Sequence, residues 1–315
     1  MSGDGETSGP IVGRRVLVTG ATGLMGLPIA VALAKANEVY AAARFSDPKQ
    51  KRRLEAAGVR TIPFDLGDHD LSALPRSIDI VFHLGALVGW DAEQPEIRER
   101  VYEVNAGAVG RLASRFRDCA AFVHASTGSL YRYQGERPLR EDDQYGQHAT
   151  METYAATKIG AEFMLRHLSE EWSMPTVMLR IFSLYGPLGG ALTGRVDRIA
   201  RRLPVSVYPG VRNVYTPIYE DDYVEKATAS VSLARTPAEI VNFAGGEPTT
   251  IQQYCRMAGE YLGIEPIFEE TSAAYPIWAD TTKMVRLLGP CRISMREGVR
   301  RVVEAGEEAR LTRTV

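Results

Sequence analysis

The sequence predicts an α/β protein in which a doubly wound parallel sheet is followed by a smaller C-terminal lobe. Up to residue 185, short apolar runs rich in β-branched residues alternate with amphipathic segments. Strands that are apolar throughout are typical of parallel sheets covered by helices on both faces. Right-handed crossovers then make such a sheet doubly wound. The composition, 45% hydrophobic and 24% charged, is that of an ordinary globular protein.

The elements follow from this alternation. The predicted strands are residues 15–18, 38–42, 61–64, 78–84, 121–125 and 176–182, and the predicted helices are residues 24–36, 50–57, 98–117 and 154–172. From residue 186 prolines and glycines become frequent, and strand-like pieces at 205–208, 214–218 and 239–243 mix with a helix at 251–262. We therefore expect a frayed tail over residues 1–11, a first domain over 12–185 and a smaller lobe over 186–315, without a sharp boundary.

Composition excludes several classes of function. The net charge is -2 and the pI is about 6.3, so a nucleic-acid partner is not expected. The three cysteines are scattered and the five histidines lack ligand spacing, which argues against a disulfide framework and a metal site. We find no apolar signal-peptide core and no run long enough to span a bilayer, so we expect a cytoplasmic protein without a membrane partner.

A glycine-rich turn follows the first strand. Residues 19–26 read TGATGLMG, with Gly20, Gly23 and Gly26 between a predicted strand and a predicted helix. Such a turn lets the backbone approach a pyrophosphate, and the N-terminus of the helix attracts its negative charge. The strand–turn–helix context therefore predicts a Rossmann-type dinucleotide site. Its expected members are Gly20, Thr22, Gly23, Leu24, Met25 and Gly26.

The end of the second strand bears on which dinucleotide binds. An acidic residue about 20 positions after the glycine turn holds the ribose hydroxyls of NAD. Here the strand ends in alanines and Arg44, and the first acid is Asp47. Because an arginine can pair with a 2'-phosphate, we favour NADP(H) as the cofactor and keep NAD(H) as the alternative.

Tyr154 and Lys158 lie four residues apart at the start of a predicted helix, so they share one face. A tyrosine has a reference pKa of about 10, and a neighbouring ammonium lowers that pKa. We therefore predict that the pair exchanges a proton with a substrate oxygen while a hydride moves to or from the nicotinamide.

The order of motifs resembles the extended short-chain dehydrogenase/reductase family over about residues 12–300. The matching motifs are TGATGLMG at 19–26, DLGD at 65–68, VFHLGA at 81–86, VN at 104–105, STGSLY at 126–131, YAATK at 154–158, LRIFSLYGP at 179–187, IYEDDYVE at 218–225 and VNFAGGEPTTI at 241–251. The resemblance implies a catalytic trio of Thr127, Tyr154 and Lys158. Ser126 and Ser129 remain alternatives to Thr127.

The resemblance also implies further cofactor contacts. Lys158 would bind the nicotinamide ribose, Asp65 and Leu66 would lie at the adenine, and Leu84, Gly85 and Ala86 would lie along the cofactor. Asn105 is expected to support packing, and His83 is expected to be a core residue.

The substrate is less defined by the motifs. Nucleotide-sugar members of the family carry an Asn and an Arg that contact the diphosphate, where this chain has Ser183 and Tyr215, although Arg195 or Arg212 could replace the missing charge. Aromatic residues follow several predicted strands, which suits an apolar or aromatic substrate. The expected substrate-binding residues are Trp90, Ser129, Tyr131, Ser183, Tyr185 and Tyr215.

These observations lead to one favoured function and two alternatives. We expect an NADPH-dependent reductase of a ketone or aldehyde. The first alternative is a nucleotide-sugar epimerase or dehydratase with tightly bound NAD, and the second is a non-catalytic dinucleotide sensor. The family resemblance also implies a homodimer through the helices at 98–117 and 154–172.

Overall fold

A computed structural model describes residues 11–146, 151–272 and 275–311 of the chain. The predicted tail over residues 1–11 lies almost entirely outside the described residues. The first six strands are β1 Arg15–Thr19, β2 Glu38–Ala43, β3 Arg60–Pro63, β4 Ile80–His83, β5 Ala121–Thr127 and β6 Thr176–Ile181. These match the predicted strands closely, because each is an apolar run that the sheet buries.

The remaining strands are short apart from one. They are β7 Leu184–Tyr185, β8 Val205–Val207, β9 Val214–Tyr215, β10 Ile218–Tyr219, β11 Glu239–Phe243, β12 Thr249–Thr250 and β13 Phe268–Glu270. The main sheet has seven strands in the order β11-β6-β5-β4-β1-β2-β3. The chain adds strands first on one side of β1 and then on the other, and β1 pairs in parallel with both β2 and β4, which confirms the doubly wound parallel sheet. Residues 239–243, which the sequence placed with the smaller lobe, form β11 at the edge of the main sheet beside β6.

Ten α-helices are present among the described residues. They are α1 Gly26–Leu33, α2 Pro48–Ala56, α3 Arg98–Tyr102, α4 Ala108–Arg115, α5 Glu152–Glu171, α6 Ala191–Ala200, α7 Glu220–Ala229, α8 Ile251–Leu262, α9 Thr282–Leu288 and α10 Met295–Leu311. The predicted α8 has both terminal signals, because Thr250 and Gln253 form a capping box and Gly263 ends the helix with a φ of 65°. None of these helices is long and apolar enough to cross a membrane.

The single helix predicted over residues 98–117 is interrupted by a π-helix, Glu103–Gly107. Asn105 lies in this segment. Its side chain accepts from the Leu87 amide at 2.7 Å, donates to the Leu87 carbonyl at 2.9 Å and donates to the Thr157 hydroxyl at 3.1 Å. The wider turn gives Asn105 these partners, which agrees with the supporting role expected for it.

The chain forms two compact units. The first contains the residues up to Ser126, Thr157–Leu179 and Val224–Ile240, and the second contains Thr127–Ala156, Arg180–Tyr223 and Val241 onward. Each has its own apolar core, around Leu17, Phe122 and Met178 in the first unit and around Val196, Tyr254 and Val299 in the second. The assignment of dinucleotide binding to residues 12–185 stays a prediction.

Candidate active site

The glycine turn lies in the first unit, between β1 and α1. Gly20 has a φ of 65°, and a Cβ there would lie 2.5 Å from the Cα of Gly85. Any larger residue at position 20 would therefore collide with the backbone after β4. A Cβ on Gly23 would meet nothing closer than the Gly20 carbonyl oxygen, at 3.3 Å. Gly20 and Gly26 thus close the turn, while Gly23 leaves room beside it.

The N-terminus of α1 is open to an anion. The preceding residue, Met25, makes no capping side-chain hydrogen bond, and the first turn of the helix contains no acidic residue. The positive end of the helix dipole therefore has no negative side chain of this helix beside it. These features fit a dinucleotide pyrophosphate beside Thr22, Gly23, Leu24 and Met25.

The segments after β3 and β4 meet beside this turn. The Gly85 amide donates to Thr19 Oγ1 at 3.4 Å. A Cβ on Gly85 would lie 2.6 Å from Leu66 Cδ1. Asp65 accepts the Gly67 amide at 2.8 Å and forms an ion pair with Arg100. Leu66 and Gly85 therefore pack together beside Gly20, and Leu84 and Ala86 flank Gly85 in the chain.

Arg44 is exposed and directly follows β2. Asp47, the first acid after it, caps α2 by accepting the Lys49 amide at 2.8 Å. The end of β2 therefore presents an exposed guanidinium at position 44, as the sequence indicated, and the first acid after it is engaged in capping α2.

Thr127 and Tyr154 lie in the second unit, and their side chains are hydrogen-bonded to each other. Thr127 Oγ1 accepts the Ser129 amide at 3.1 Å, so the hydroxyl proton of Thr127 is free to point at the tyrosine oxygen. Ser126, one of the two alternatives, instead donates to Glu162 at 2.5 Å. The structure thus pairs Thr127 with Tyr154.

Tyr154 is 7% exposed. Burial raises the pKa of Tyr154 to about 12, and the hydrogen bond from Thr127 lowers it only in part. The expectation that Lys158 holds this pKa below 10 was therefore wrong for the protein alone. Desolvation of the phenolate outweighs other effects on the tyrosine, which is a phenol at neutral pH.

Lys158 lies one turn after Tyr154 on α5 and is 2% exposed. Its Nζ donates to the Ala125 carbonyl at 2.5 Å and lies 3.3 Å from His124 Nε2. Burial lowers the pKa of Lys158 to about 8, although Glu162 acts to raise it. The ammonium is therefore close to its titration point near neutral pH.

Two histidines and a glutamate lie around this lysine, and the sequence analysis predicted no functional role for any of them. His83 and His124 are register partners on β4 and β5, and their rings stack with centroids 5.3 Å apart. Burial lowers the pKa of His83 to about 3 and lowers that of His124 well below its usual value. Glu162 is fully buried on α5. The repeated four-residue spacing of Tyr154, Lys158 and Glu162 is the signal that could have revealed the glutamate.

The expected substrate-binding residues fall into different environments. Tyr131 and Tyr185 are 2% and 1% exposed, and Tyr185 belongs to the apolar core of the second unit. Packing accounts for the burial of both side chains, and their assignment as substrate-binding residues stays a prediction. Ser129 is half-buried after β5, and Ser183 follows β6 with a φ of 46°. The Trp90 side chain lies outside the described part of the structure.

Tyr215 is half-buried and has a cation beside it. The Arg195 guanidinium carbon lies 5.6 Å from the centre of the Tyr215 ring. Arg212, the other basic residue considered for this position, donates its backbone amide to Glu136. Of these two arginines, Arg195 on α6 is the one whose guanidinium contacts the Tyr215 ring.

A buried arginine in the second unit was not foreseen. Arg180 donates to the Tyr131 hydroxyl at 2.6 Å, to the Tyr145 hydroxyl at 2.7 Å and to the Glu141 carbonyl at 2.9 Å. The Tyr131 hydroxyl in turn donates to Asn242 Oδ1 at 2.6 Å. These residues come from distant parts of the sequence, so nothing local signals their association.

Curated relatives of this chain are nucleotide-sugar epimerases. An uncharacterized UDP-glucose epimerase of Bacillus subtilis is 25% identical, over 87% of this chain and 92% of the relative. UDP-glucuronate 4-epimerase 1 of Arabidopsis thaliana is 30% identical over 76% of this chain, which spans 62% of that enzyme. Among solved structures, a Bacillus cereus UDP-glucuronic acid 4-epimerase in complex with UDP-glucuronic acid and NAD has a TM-score of 0.82 at 22% identity, covering 94% of this chain and 99% of that chain.

These relatives overturn the favoured function. Reduction of a ketone or aldehyde with NADPH was inferred from Arg44, Ser183 and Tyr215, yet the relatives are epimerases of UDP-sugars. The resemblance to the extended short-chain dehydrogenase/reductase family is confirmed. The model of the NAD dependent epimerase/dehydratase family matches residues 16–244, and the chain belongs to that family.

Proposed function

We propose that this protein is an NAD-dependent 4-epimerase of a UDP-linked sugar. The observation that carries the proposal is the hydrogen bond between Thr127 and the buried Tyr154, with Lys158 one turn further along the same helix. These are the groups that a sugar hydroxyl needs in order to lose and regain a proton. The relatives named above support the substrate class.

The cofactor proposed is NAD. Bound at this turn, NAD would supply the hydride acceptor for the sugar carbon and the donor that returns the hydride to the opposite face. The open backbone at Gly23 and the uncapped start of α1 would hold the pyrophosphate. Leu66, Leu84, Gly85 and Ala86 would line the remainder, and Lys158 would donate to the ribose hydroxyls. NAD rather than NADP is proposed because NAD accompanies the UDP-sugar in related structures.

Thr127 and Tyr154 would handle the proton. Thr127 Oγ donates toward the tyrosine oxygen and would orient the substrate hydroxyl beside it. Tyr154 Oη receives the hydroxyl proton when the sugar is oxidised and returns it when the sugar is reduced. Because burial raises the pKa of Tyr154 to about 12, the tyrosine needs positive charge nearby to act as a base at neutral pH. The Lys158 ammonium would provide that charge.

A positive charge for the diphosphate comes from α6. Where nucleotide-sugar members of the family carry an arginine, this chain has Tyr215, and Arg195 lies against the ring of Tyr215. We propose that Arg195 takes the place of the missing arginine and that the tyrosine holds its guanidinium in position. A planar guanidinium suits a diphosphate because it offers paired donors.

A homodimer is also proposed. Tyr102, Phe163 and Met164 are apolar side chains of the first unit that are 45%, 53% and 37% exposed. They lie on α3 and α5, which belong to the two segments expected to form the interface. Their burial against a second copy would remove this apolar surface from water.

The function is tested by incubating the purified protein with NAD and, separately, UDP-glucose, UDP-glucuronic acid and UDP-N-acetylglucosamine. We expect one of them to equilibrate with its 4-epimer, detected by proton NMR of the anomeric signals, with no net change in NADH absorbance. Heat-denatured protein serves as the control. Absence of epimer from all three nucleotide sugars would contradict the proposal.

A further inference from the structure

We propose that Glu162 and His124 are positioning residues for Lys158, with Glu162 acting as the buried counter-charge and His124 as the acceptor that directs its Nζ. This inference deepens the proposed function and rests on it. The observation behind it is a polar cluster inside the first unit, formed by His83, His124, Ser126, Lys158 and Glu162, which are at most 2% exposed. We refer to these five residues as the lysine cluster.

His124 has one state that fits its surroundings. An ammonium can only donate, so the contact of 3.3 Å between Lys158 Nζ and His124 Nε2 requires Nε2 to accept. The ring proton is then on Nδ1, and the imidazole is neutral. Burial and the charge of Lys158 both lower the pKa of His124, which keeps it in that state. His124 and the Ala125 carbonyl, both on β5, together fix the direction in which the Lys158 ammonium points.

Glu162 supplies the negative charge of the cluster. It is fully buried on α5, one turn after Lys158, and it accepts the Ser126 hydroxyl at 2.5 Å. The attraction between Glu162 and Lys158 opposes the cost of burying the ammonium. Ser126 is the last residue of the first unit before Thr127, so the same bond holds the end of β5.

A purely structural cluster would be built differently. His124 Nδ1 and His83 Nε2 have no hydrogen-bond partner within the described part of the chain. A buried donor without a partner destabilises the fold, whereas apolar side chains would fill the same space without that cost. The two imidazoles and the carboxylate are thus explained by what they do to Lys158.

The groups that face Lys158 determine the effect of pH. They are His124 on β5, His83 behind it on β4, and Glu162 on α5. Both histidines are neutral above pH 7, so Glu162 is the charged partner of Lys158 in the pH range in which the lysine titrates. Removing its charge lowers the pKa of Lys158 below 8, and the ammonium is lost at a lower pH.

The test uses Glu162→Gln, which keeps the shape and the acceptor for Ser126 but removes the charge. The matched control is Glu170→Gln, an exposed glutamate on the same helix. We expect the basic limb of the kcat profile for epimerisation to move down by about one pH unit in Glu162→Gln, an order of magnitude set by loss of one nearby charge. That corresponds to a loss of about fivefold at pH 8 and less than twofold at pH 6. Glu162→Asp should restore the limb.

A second measurement needs no substrate. The folded-state pKa of Lys158 is about 8 and its ordinary value is 10.5, so the unfolded chain binds more protons between these values and stability rises with pH there. In Glu162→Gln this rise begins at a lower pH. The deficit in unfolding free energy relative to Glu170→Gln should therefore be larger at pH 7 than at pH 9.5 in urea titrations.

The two failures are distinguishable. If no UDP-sugar is epimerised, the proposed function is wrong and the unfolding comparison still decides the role of Glu162. If the deficit of Glu162→Gln is the same at both pH values, or its kcat profile coincides with that of Glu170→Gln, the positioning role is wrong. Should Glu162→Gln fail to fold, His124→Phe serves instead. We expect this variant to show a lower kcat at pH 7 with an unchanged KM and retained NAD binding. An unchanged kcat would contradict the proposal.

Discussion

Lys158 in the first unit and Arg180 in the second are both buried cations, yet their surroundings differ. Lys158 donates to a single carbonyl and faces a neutral imidazole, and burial lowers its pKa to about 8. Arg180 donates to two tyrosine hydroxyls and a carbonyl. Its guanidinium carbon also lies 4.8 and 5.0 Å from the centres of the Tyr131 and Tyr145 rings.

The difference shows how one fold uses two cations for different purposes. A guanidinium does not lose its proton in proteins, so the interactions of Arg180 are permanent and serve to join distant segments of the second unit. An ammonium near its titration point responds to each neighbouring charge. Lys158 is therefore suited to chemistry and Arg180 to architecture, and substitutions at both positions can separate these roles.

The largest effect is expected at the residue one turn before Lys158. Tyr154→Phe removes the proton carrier, so the rate of epimerisation should fall by about 10³-fold. NAD binding, measured by isothermal titration, should stay within threefold of the wild type, because the hydroxyl is not part of the glycine turn. A rate near that of the wild type would show that Tyr154 does not transfer the proton, and would contradict the proposed role of Lys158 in that step.

Replacement of each buried cation by methionine should separate their roles through pH. Arg180→Met removes the hydrogen bonds to two tyrosine hydroxyls and a carbonyl, so we expect a loss of about 3 kcal/mol in unfolding free energy that is the same at pH 7 and pH 9.5. Lys158→Met abolishes epimerisation and leaves Glu162 buried without its counter-charge, so its stability should also fall. Because burial lowers the pKa of Lys158 to about 8, the wild type gains stability above that pH, and the deficit of Lys158→Met should be larger at pH 9.5 than at pH 7. Urea titrations of both variants at the two pH values measure this. A deficit of Lys158→Met that does not change with pH would refute the distinction between the two roles.

A third cation, Arg195, is less buried than Lys158 and Arg180, since it is only half-buried against the Tyr215 ring. If it pairs with the diphosphate, Arg195→Gln should raise KM for the UDP-sugar about tenfold, the value of one charge-assisted contact, and leave kcat within twofold. Arg198→Gln on the exposed side of the same helix is the control. A larger fall in kcat than rise in KM would mean that Arg195 acts on the reaction rather than on binding.

Local patterns predicted most of the fold and part of the site. The strands of the main sheet and the glycine turn are contiguous segments, and so is the spacing of Tyr154 and Lys158. The break in the helix at Glu103–Gly107 was missed, since it depends on the bonds of Asn105 to Leu87 and Thr157, far away in sequence. The same holds for β11, whose place beside β6 is decided by tertiary pairing.

The buried polar residues were the hardest to foresee. Tyr131 meets Asn242 across 111 residues of chain and Arg180 across 49 residues. His83 meets His124 only because β4 and β5 pair in that register. A single sequence does not reveal such pairs. Conversely, Arg44 and Tyr215 were visible in the sequence but led to the wrong choice of a reductase. In the case of Tyr215, the sequence did not show that a positively charged side chain, Arg195, lies against its ring.

The smallest effect is expected at Arg44, the exposed member of this series of cations. The sequence favoured NADP(H) on the strength of this residue, whereas we now propose NAD, which carries no 2'-phosphate for a guanidinium to bind. Arg44→Ala should then change the Kd for NAD by less than twofold, because an exposed charge is screened by water and salt. The measurement is isothermal titration with NAD and NADP in parallel. A wild type that binds NADP more tightly than NAD, and loses that preference in Arg44→Ala, would show that this exposed cation, unlike Arg180, takes part in ligand recognition.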